Sequence, residues 1–224
     1  MNILAIECTH ASLSAAVLAA GIVYEAQSTD WQKAAENLVP LIGEVLASGG
    51  LDRKDLDRIA FSSGPGSFTA LRIGISVAKG IAWGLGVPLI AVPTMPVMAA
   101  ALDEPTLTVM TVIQSRKGEY YFACYTREEL SSGLWHDRVD RGGAGDVIAA
   151  ASGVPGGVVA AGRGLDELQP LFTASGIRYA GADLFSARSL FPFAERLCLE
   201  VDITGLNDIA PDYRQMFVPK VQGG

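Results

Sequence analysis

Between residues 62 and 74 the chain reads Ser-Ser-Gly-Pro-Gly-Ser-Phe-Thr-Ala-Leu-Arg-Ile-Gly, a glycine-rich turn that runs into an apolar helix. The first N–H groups of a helix lack intrahelical partners and the dipole is positive there, so such turns often hold phosphate. A P-loop also needs a lysine followed by Ser or Thr, to bring an ammonium to the phosphates and a hydroxyl to magnesium. This turn has neither. Its candidate residues are Gly64, Pro65, Gly66, Ser67, Phe68 and Thr69, with Arg72 one turn into the helix. Pro65 fixes one φ while Gly64 and Gly66 permit unusual ones, which makes the turn rigid. Ser67 is placed to cap the helix.

Other chemistry is sparse. The two histidines, His10 and His136, lie far apart and form no HxxxH or HExxH pair. Glu7, at the end of the first strand, could hold a magnesium or a water if a second carboxylate faced it. The matching place in the second half carries Gln114, Ser115 and Arg116 instead. No catalytic, metal or cofactor residue is therefore assigned. Cys8, Cys124 and Cys198 are odd in number and widely spaced, which points to neither a disulfide framework nor a zinc site and fits a reducing cytoplasm. A formal charge of −7 argues against a chain that grips nucleic acid unaided. If RNA is involved, a partner has to supply the basic surface.

The elements that position these residues follow from periodicity. Residues 3–8, 12–19 and 22–28 read as a β-meander with a turn at Ala20-Gly21, and the opening residues form a strand, not a signal peptide. A helix is expected over 31–48, with a kink or restart at Pro40. A strand at 58–62, a helix at 68–85 and a strand at 88–92 follow. The uncharged stretch 80–102 is interrupted by Pro88, Pro93 and Pro96, which suits a strand between helices and not a membrane span. The pattern then begins again, with strands at 106–114 and 119–126 and a third at 134–139. Residues 153–164 read as a loop, a strand at 158–161 and a second loop, Gly162-Arg163-Gly164, able to approach a ligand backbone. A helix spans 184–200. Alternating strands and helices imply an α/β fold with largely parallel sheets. Two openings of the same kind imply an internal duplication, with lobes at 1–103 and 104–224.

The helix after the turn carries two rows of small residues, Ala70-Gly74-Ala78-Ala82 and Ser76-Gly80-Gly84. A mid-helix glycine costs about 1 kcal/mol relative to alanine, so close packing has to offset it. That packing is either onto the chain's own sheet or against a helix of another chain. The second reading takes Ala70, Gly74, Val77, Ala78 and Ile81, beside Leu38, Leu41, Ile42 and Val45 of the preceding helix, as the partner interface.

The run Gly64-Pro65-Gly66-Ser67-Phe68-Thr69-Ala70-Leu71-Arg72-Ile73-Gly74 resembles the GPGSFTGLRIG signature of the TsaB (YeaZ) family, differing only at Ala70. Residues 3–6, the Arg116-Lys117-Gly118-Glu119-Tyr120-Tyr121 stretch and Pro211-Asp212-Tyr213 support the resemblance. The chain departs from that family at Glu7, where Asp is usual, at Gln114-Ser115 for Asp-Ala, at Ala34-Ala35 for His-Ser, and after Tyr213. The resemblance implies the actin-like, sugar-kinase and Hsp70 ATPase architecture, two lobes of RNase H-like topology. It implies a cytoplasmic, non-catalytic partner of a TsaD-like paralogue, working with a TsaE-like ATPase to place threonylcarbamoyl on the adenosine beside the tRNA anticodon. It also implies a homodimer when alone, tRNA contact only through the complex, and any ATP or ADP belonging to that complex. The competing reading is an enzyme of the same architecture, a small-molecule kinase or a glycoprotease-like metallopeptidase.

Overall fold

The computed structural model describes residues 1–9, 13–30, 33–102, 108–133, 138–181, 185–196, 205–206, 208–210 and 212. Strands β1 (Ile3–Glu7), β2 (Leu13–Ala19) and β3 (Ile22–Ser28) form the expected antiparallel meander. Ala20, with φ of 48°, and Gly21 make its tight turn. Helix α1 (Ala34–Ser48), strand β4 (Arg58–Gly64), helix α2 (Phe68–Leu85) and strand β5 (Leu89–Pro93) follow. The last two strands add in parallel beside β1, giving the order β3-β2-β1-β4-β5. Helix α1 runs through Pro40 as one element, so the chain does not restart there. The Pro40 and Glu36 positions are both exposed, and water can reach the carbonyl that the missing N–H leaves. Trp31 lies outside the described residues.

After α3 (Thr94–Ala101) the same plan recurs. Strands β6 (Thr108–Arg116) and β7 (Glu119–Tyr125), helix α4 (Arg127–Ser132), strand β8 (Asp140–Gly142), helix α5 (Ala144–Ser152), strand β9 (Val158–Arg163), helix α6 (Gln169–Ala174) and strand β10 (Arg178–Gly181) form this half. Its sheet has the order β8-β7-β6-β9-β10, again an antiparallel meander with two parallel strands added beside its first. The third strand falls at 140–142, not at 134–139, of which 134–137 lie outside the described residues.

Strand β9 also runs two residues further than the expected 158–161, and so takes in Gly162 and Arg163. A Cβ on Gly162 would sit 1.8 Å from the Val112 carbonyl oxygen, so this glycine serves the β6–β9 pairing instead of a loop. Near the end, a 3₁₀ turn (Ala187–Leu190) leads into α7 (Phe191–Arg196), a shorter element than the helix read over 184–200, whose ends lie outside the described residues.

Side chains alternate along each strand, so each sheet feeds two cores. Leu4, Ile6, Ile59 and Phe61 pack under α1 and α2. Ile3, Ala5, Ala60 and Ile90 face Val109, Ile113, Tyr121 and Val159 of the second sheet in a shared core, completed by Leu190 and Phe193. A third core under α5 and α6 holds Met110, Val112, Phe122 and Phe172. Leu206 and Ile209 return to the first core, so late residues seal both faces of the first sheet.

Candidate docking surface and the turn that sets it

The glycine-rich turn is covered by the chain itself. Gly64 has φ of 114°, and a Cβ on it would lie 2.7 Å from the Asp212 carbonyl oxygen. The Asp212 N–H in turn donates to the Ser63 carbonyl at 2.8 Å. A Cβ on Gly66 would lie 2.5 Å from the Thr9 carbonyl oxygen, which accepts the Ser67 N–H at 2.8 Å. The Gly64 N–H donates to Thr94 Oγ1 at 3.2 Å. These glycines are small because backbone lies on them, and a phosphate there would have to displace Thr9 and Asp212. The turn does not fit a nucleotide phosphate. Ser67 does occupy the N-cap position, but its side chain makes no capping hydrogen bond; its N–H is held by Thr9 instead. Phe68 and Arg72 stand on the exposed side, the guanidinium 4.1 Å from the ring centroid.

Glu7 is 1% exposed and sits between the sheets. Its Oε1 accepts the Thr9 N–H at 2.8 Å and the Thr9 hydroxyl, and lies 3.7 Å from Arg163 Nη1 of the opposite sheet. Burial pushes the Glu7 carboxyl up from the ordinary carboxylate range, while the Arg163 guanidinium and the Thr9 bonds pull it back. Cys8 beside it is raised by burial and then by Glu7, which makes it an inert thiol. The Arg163 guanidinium faces Glu7 at 3.7 Å, so a magnesium there would meet a buried positive charge. Among the described residues no cluster of three His, Cys, Asp or Glu could hold a metal ion.

The helix faces reverse part of the expected interface. Leu38, Leu41, Ile42 and Val45 of α1, and Ala70, Gly74 and Ala78 of α2, are all buried in the chain's own structure. The first small row exists to bring α2 onto its own sheet, where a Cβ on Gly74 would lie 2.6 Å from Cys8 Sγ. Val77 and Ile81, half-buried, sit at the boundary of the exposed face. The second row, Ser76, Gly80 and Gly84, points outward.

Between α1 and α2 runs a groove of about 760 Å³. Val39, Ile42, Leu46, Ile81 and Leu85 line it, Gly43, Gly80 and Gly84 contribute bare backbone, and Arg53 and Lys54 close it. A Cβ on Gly43, Gly80 or Gly84 would meet nothing within 4 Å, so nothing in the described chain requires these glycines. Trp83 is 76% exposed on α2 and Val39 59% exposed on α1. The row containing Gly80 and Gly84 was visible in the sequence. Trp83, Val39 and Gly43 were not singled out, because periodicity alone does not say which side of a largely apolar helix faces inward. Arg163 was read as part of a loop, and only the β6–β9 register brings it opposite Glu7.

The family described as TsaD, tRNA N6-adenosine threonylcarbamoyltransferase, matches residues 21–143, more than half of the chain. The tRNA threonylcarbamoyladenosine biosynthesis protein TsaB of Escherichia coli is 35% identical over 61% of this chain and 59% of its own length. The tRNA N6-adenosine threonylcarbamoyltransferase of Bordetella avium is 46% identical over 32% of this chain and 20% of its own. The matched part thus spans about three fifths of that TsaB relative. Among solved structures, YeaZ from Pseudomonas aeruginosa superposes with a TM-score of 0.74 at 23% identity, covering 95% of this chain and 99% of that one. The architecture is accordingly that of the actin-like, sugar-kinase and Hsp70 ATPase class, with its two five-stranded sheets. Signature turn, repeated topology and matched sequence agree: the chain belongs to the family described as TsaD, tRNA N6-adenosine threonylcarbamoyltransferase, and is similar in sequence to its TsaB-named relative and in fold to YeaZ.

Proposed function

We propose that this chain is a non-catalytic partner that docks a TsaD-like paralogue through the α1–α2 face, within the complex that places threonylcarbamoyl on the adenosine beside the tRNA anticodon. The observation that carries the proposal is the open space over Gly43, Gly80 and Gly84. Three helix glycines with no role in their own fold, of which Gly43 and Gly80 are interior and cost about 1 kcal/mol each, are accounted for if another helix approaches them closely. A paralogue of the same family is the natural occupant, since its own α1–α2 pair can pack against this one about a pseudo-twofold axis. The name of the E. coli relative supplies the pathway.

On this reading a TsaE-like ATPase joins the assembly, and the acidic chain leaves tRNA contact to its partners. The cytoplasm is its place of work, and any ATP or ADP belongs to the complex. The covered turn and the guanidinium that faces Glu7 support a protein without nucleotide or metal of its own, and weigh against a kinase or metallopeptidase.

The test is depletion of the chain in its own cell, with threonylcarbamoyladenosine in bulk tRNA measured by mass spectrometry and the paralogue's co-purification followed in parallel. Loss of the nucleoside and co-purification of the two chains support the proposal. Unchanged nucleoside levels overturn it. Self-association through the same face without paralogue binding would assign the surface to a homodimer instead.

A further inference from the structure

The docking helix is held at its N-terminus by a relay that begins in the other sheet. Arg163, on β9, is fixed by its Nη2 donating to the Phe185 carbonyl at 2.5 Å, with its guanidinium 4.9 Å from the Phe185 ring centroid. Its Nη1 stands 3.7 Å from Glu7 Oε1. That oxygen accepts both the N–H and the hydroxyl of Thr9, which fixes this residue, and the Thr9 carbonyl in turn accepts the Ser67 N–H at 2.8 Å. Ser67 is the N-cap of α2 and its carbonyl accepts the Leu71 N–H at 2.9 Å. Cys8, between Glu7 and Thr9, presses on Gly74 one turn further along. Glu7, Thr9 and Arg163 are 1%, 3% and 9% exposed. A charge pair so shielded loses little strength to solvent, so it can hold a geometry that an exposed pair cannot.

We propose that Arg163 is a positioning residue for the docking face: through Glu7 and Thr9 it sets the angle at which α2 presents Gly80 and Gly84 to a partner. The idea rests on the docking reading above and adds its control from the second sheet. Ser67 and Gly80 lie thirteen residues apart on one helix, about 20 Å along its axis. A tilt of about 5° at the N-cap therefore moves the glycine face by about 2 Å. A face built for close backbone approach tolerates little of that, so losing the relay weakens docking even where the fold survives.

The experiment compares Arg163→Met, Arg163→Lys and Thr9→Val with Val159→Ala, a variant on the same strand and in the same inter-sheet core that leaves the relay intact. Affinity for the purified TsaD-like paralogue, melting temperature and amide exchange at Ser67 and the first turn of α2 are measured for each. Arg163→Met is expected to weaken paralogue binding about tenfold and to speed exchange at the Ser67 amide, with Arg163→Lys recovering most of the binding. Thr9→Val, which removes only the hydroxyl bond, should give a smaller loss in the same direction. Val159→Ala should lower the melting temperature while leaving Ser67 exchange and affinity close to the parent's.

Unchanged affinity in folded Arg163→Met overturns the proposal. So does an equal loss of affinity in Val159→Ala at an equal loss of stability, since the pair would then merely hold the fold. If Arg163→Met does not fold, Arg163→Lys and Thr9→Val decide between the same outcomes. Trp83→Ala separates the two ideas: full paralogue binding in that variant and in Gly80→Leu sinks the docking reading and this proposal with it, whereas their loss beside unchanged relay variants sinks this proposal alone.

Discussion

Gly74 and Gly80 lie on one helix less than two turns apart, and they are glycines for opposite reasons. A Cβ on Gly74 would come within 2.6 Å of Cys8 Sγ, whereas a Cβ on Gly80 would meet nothing within 4 Å. Gly74→Leu should therefore overpack the first core, costing roughly 1–3 kcal/mol or preventing folding. Gly80→Leu should melt close to the parent and lose the paralogue. Thermal melts and co-purification read both, and a folded Gly80→Leu that still binds would show that the groove is not the interface.

Trp83 should act as an anchor of that face. An indole 76% exposed on the same helix as Gly80 and Gly84 is costly to leave in water and well suited to filling a partner's pocket. Trp83→Ala should cost about 2 kcal/mol of association, near thirtyfold in Kd, while moving stability by no more than about 0.5 kcal/mol. Titration of the variant against the paralogue checks the first figure, and chemical denaturation the second.

How far the sequence revealed the site can be traced on α2. Its start followed from the glycine-rich turn before it, and its end at Leu85 is closed by Gly86, which adopts φ of 69° and makes two backbone hydrogen bonds. The two small rows were equally plain. Their directions were not, because Ala, Gly and Ser carry almost no hydrophobic contrast and either row could have faced the sheet. What decides is Cys8, a residue sixty-six positions before Gly74 and brought to it only by the β1–β4 pairing. Arg163 was hidden for the same reason: an arginine between two glycines reads as a turn until the pairing with β6 extends the strand. The first meander and its added parallel strands were legible because each is specified by local alternation and turn residues, whereas β8 was read too early and β10 was not read at all.

Glu7 should give the fold an unusual pH slope. Its pKa is raised in the folded state from the ordinary carboxyl value of 4.5, so the folded chain binds more protons than the unfolded one above that pH. Its contribution is full below pH 4.5 and is lost as pH rises through the folded pKa. Glu119 works the other way: hydrogen bonds from Arg141 and then Arg116 lower it, so its contribution is full above pH 4.5 and falls as pH drops through its own folded pKa. Denaturant titrations across pH should show a decline above 4.5 that disappears in Glu7→Gln, and salt should weaken mainly the effect of Glu119, which is half-buried and paired with the exposed Arg116. An identical slope in parent and Glu7→Gln would remove Glu7 as its source.

Transfer RNA should bind this chain weakly and with little salt dependence. Several of its cations are already committed to carboxylates: Arg163 to Glu7, Arg116 and Arg141 to Glu119, Lys33 to Asp30 and Arg188 to Glu25. With a net charge of −7, any phosphate that approaches meets a repulsive field over most directions. Each phosphate neutralised contributes about −0.9 to the slope of log K against log salt on a duplex. The isolated chain should therefore show a slope of about −1 or −2 and the assembled complex a much steeper one. Filter binding of unmodified tRNA between about 50 and 200 mM salt distinguishes them. A steep slope for the chain alone would mean that it carries its own RNA surface, and the division of labour with a basic partner would have to be abandoned.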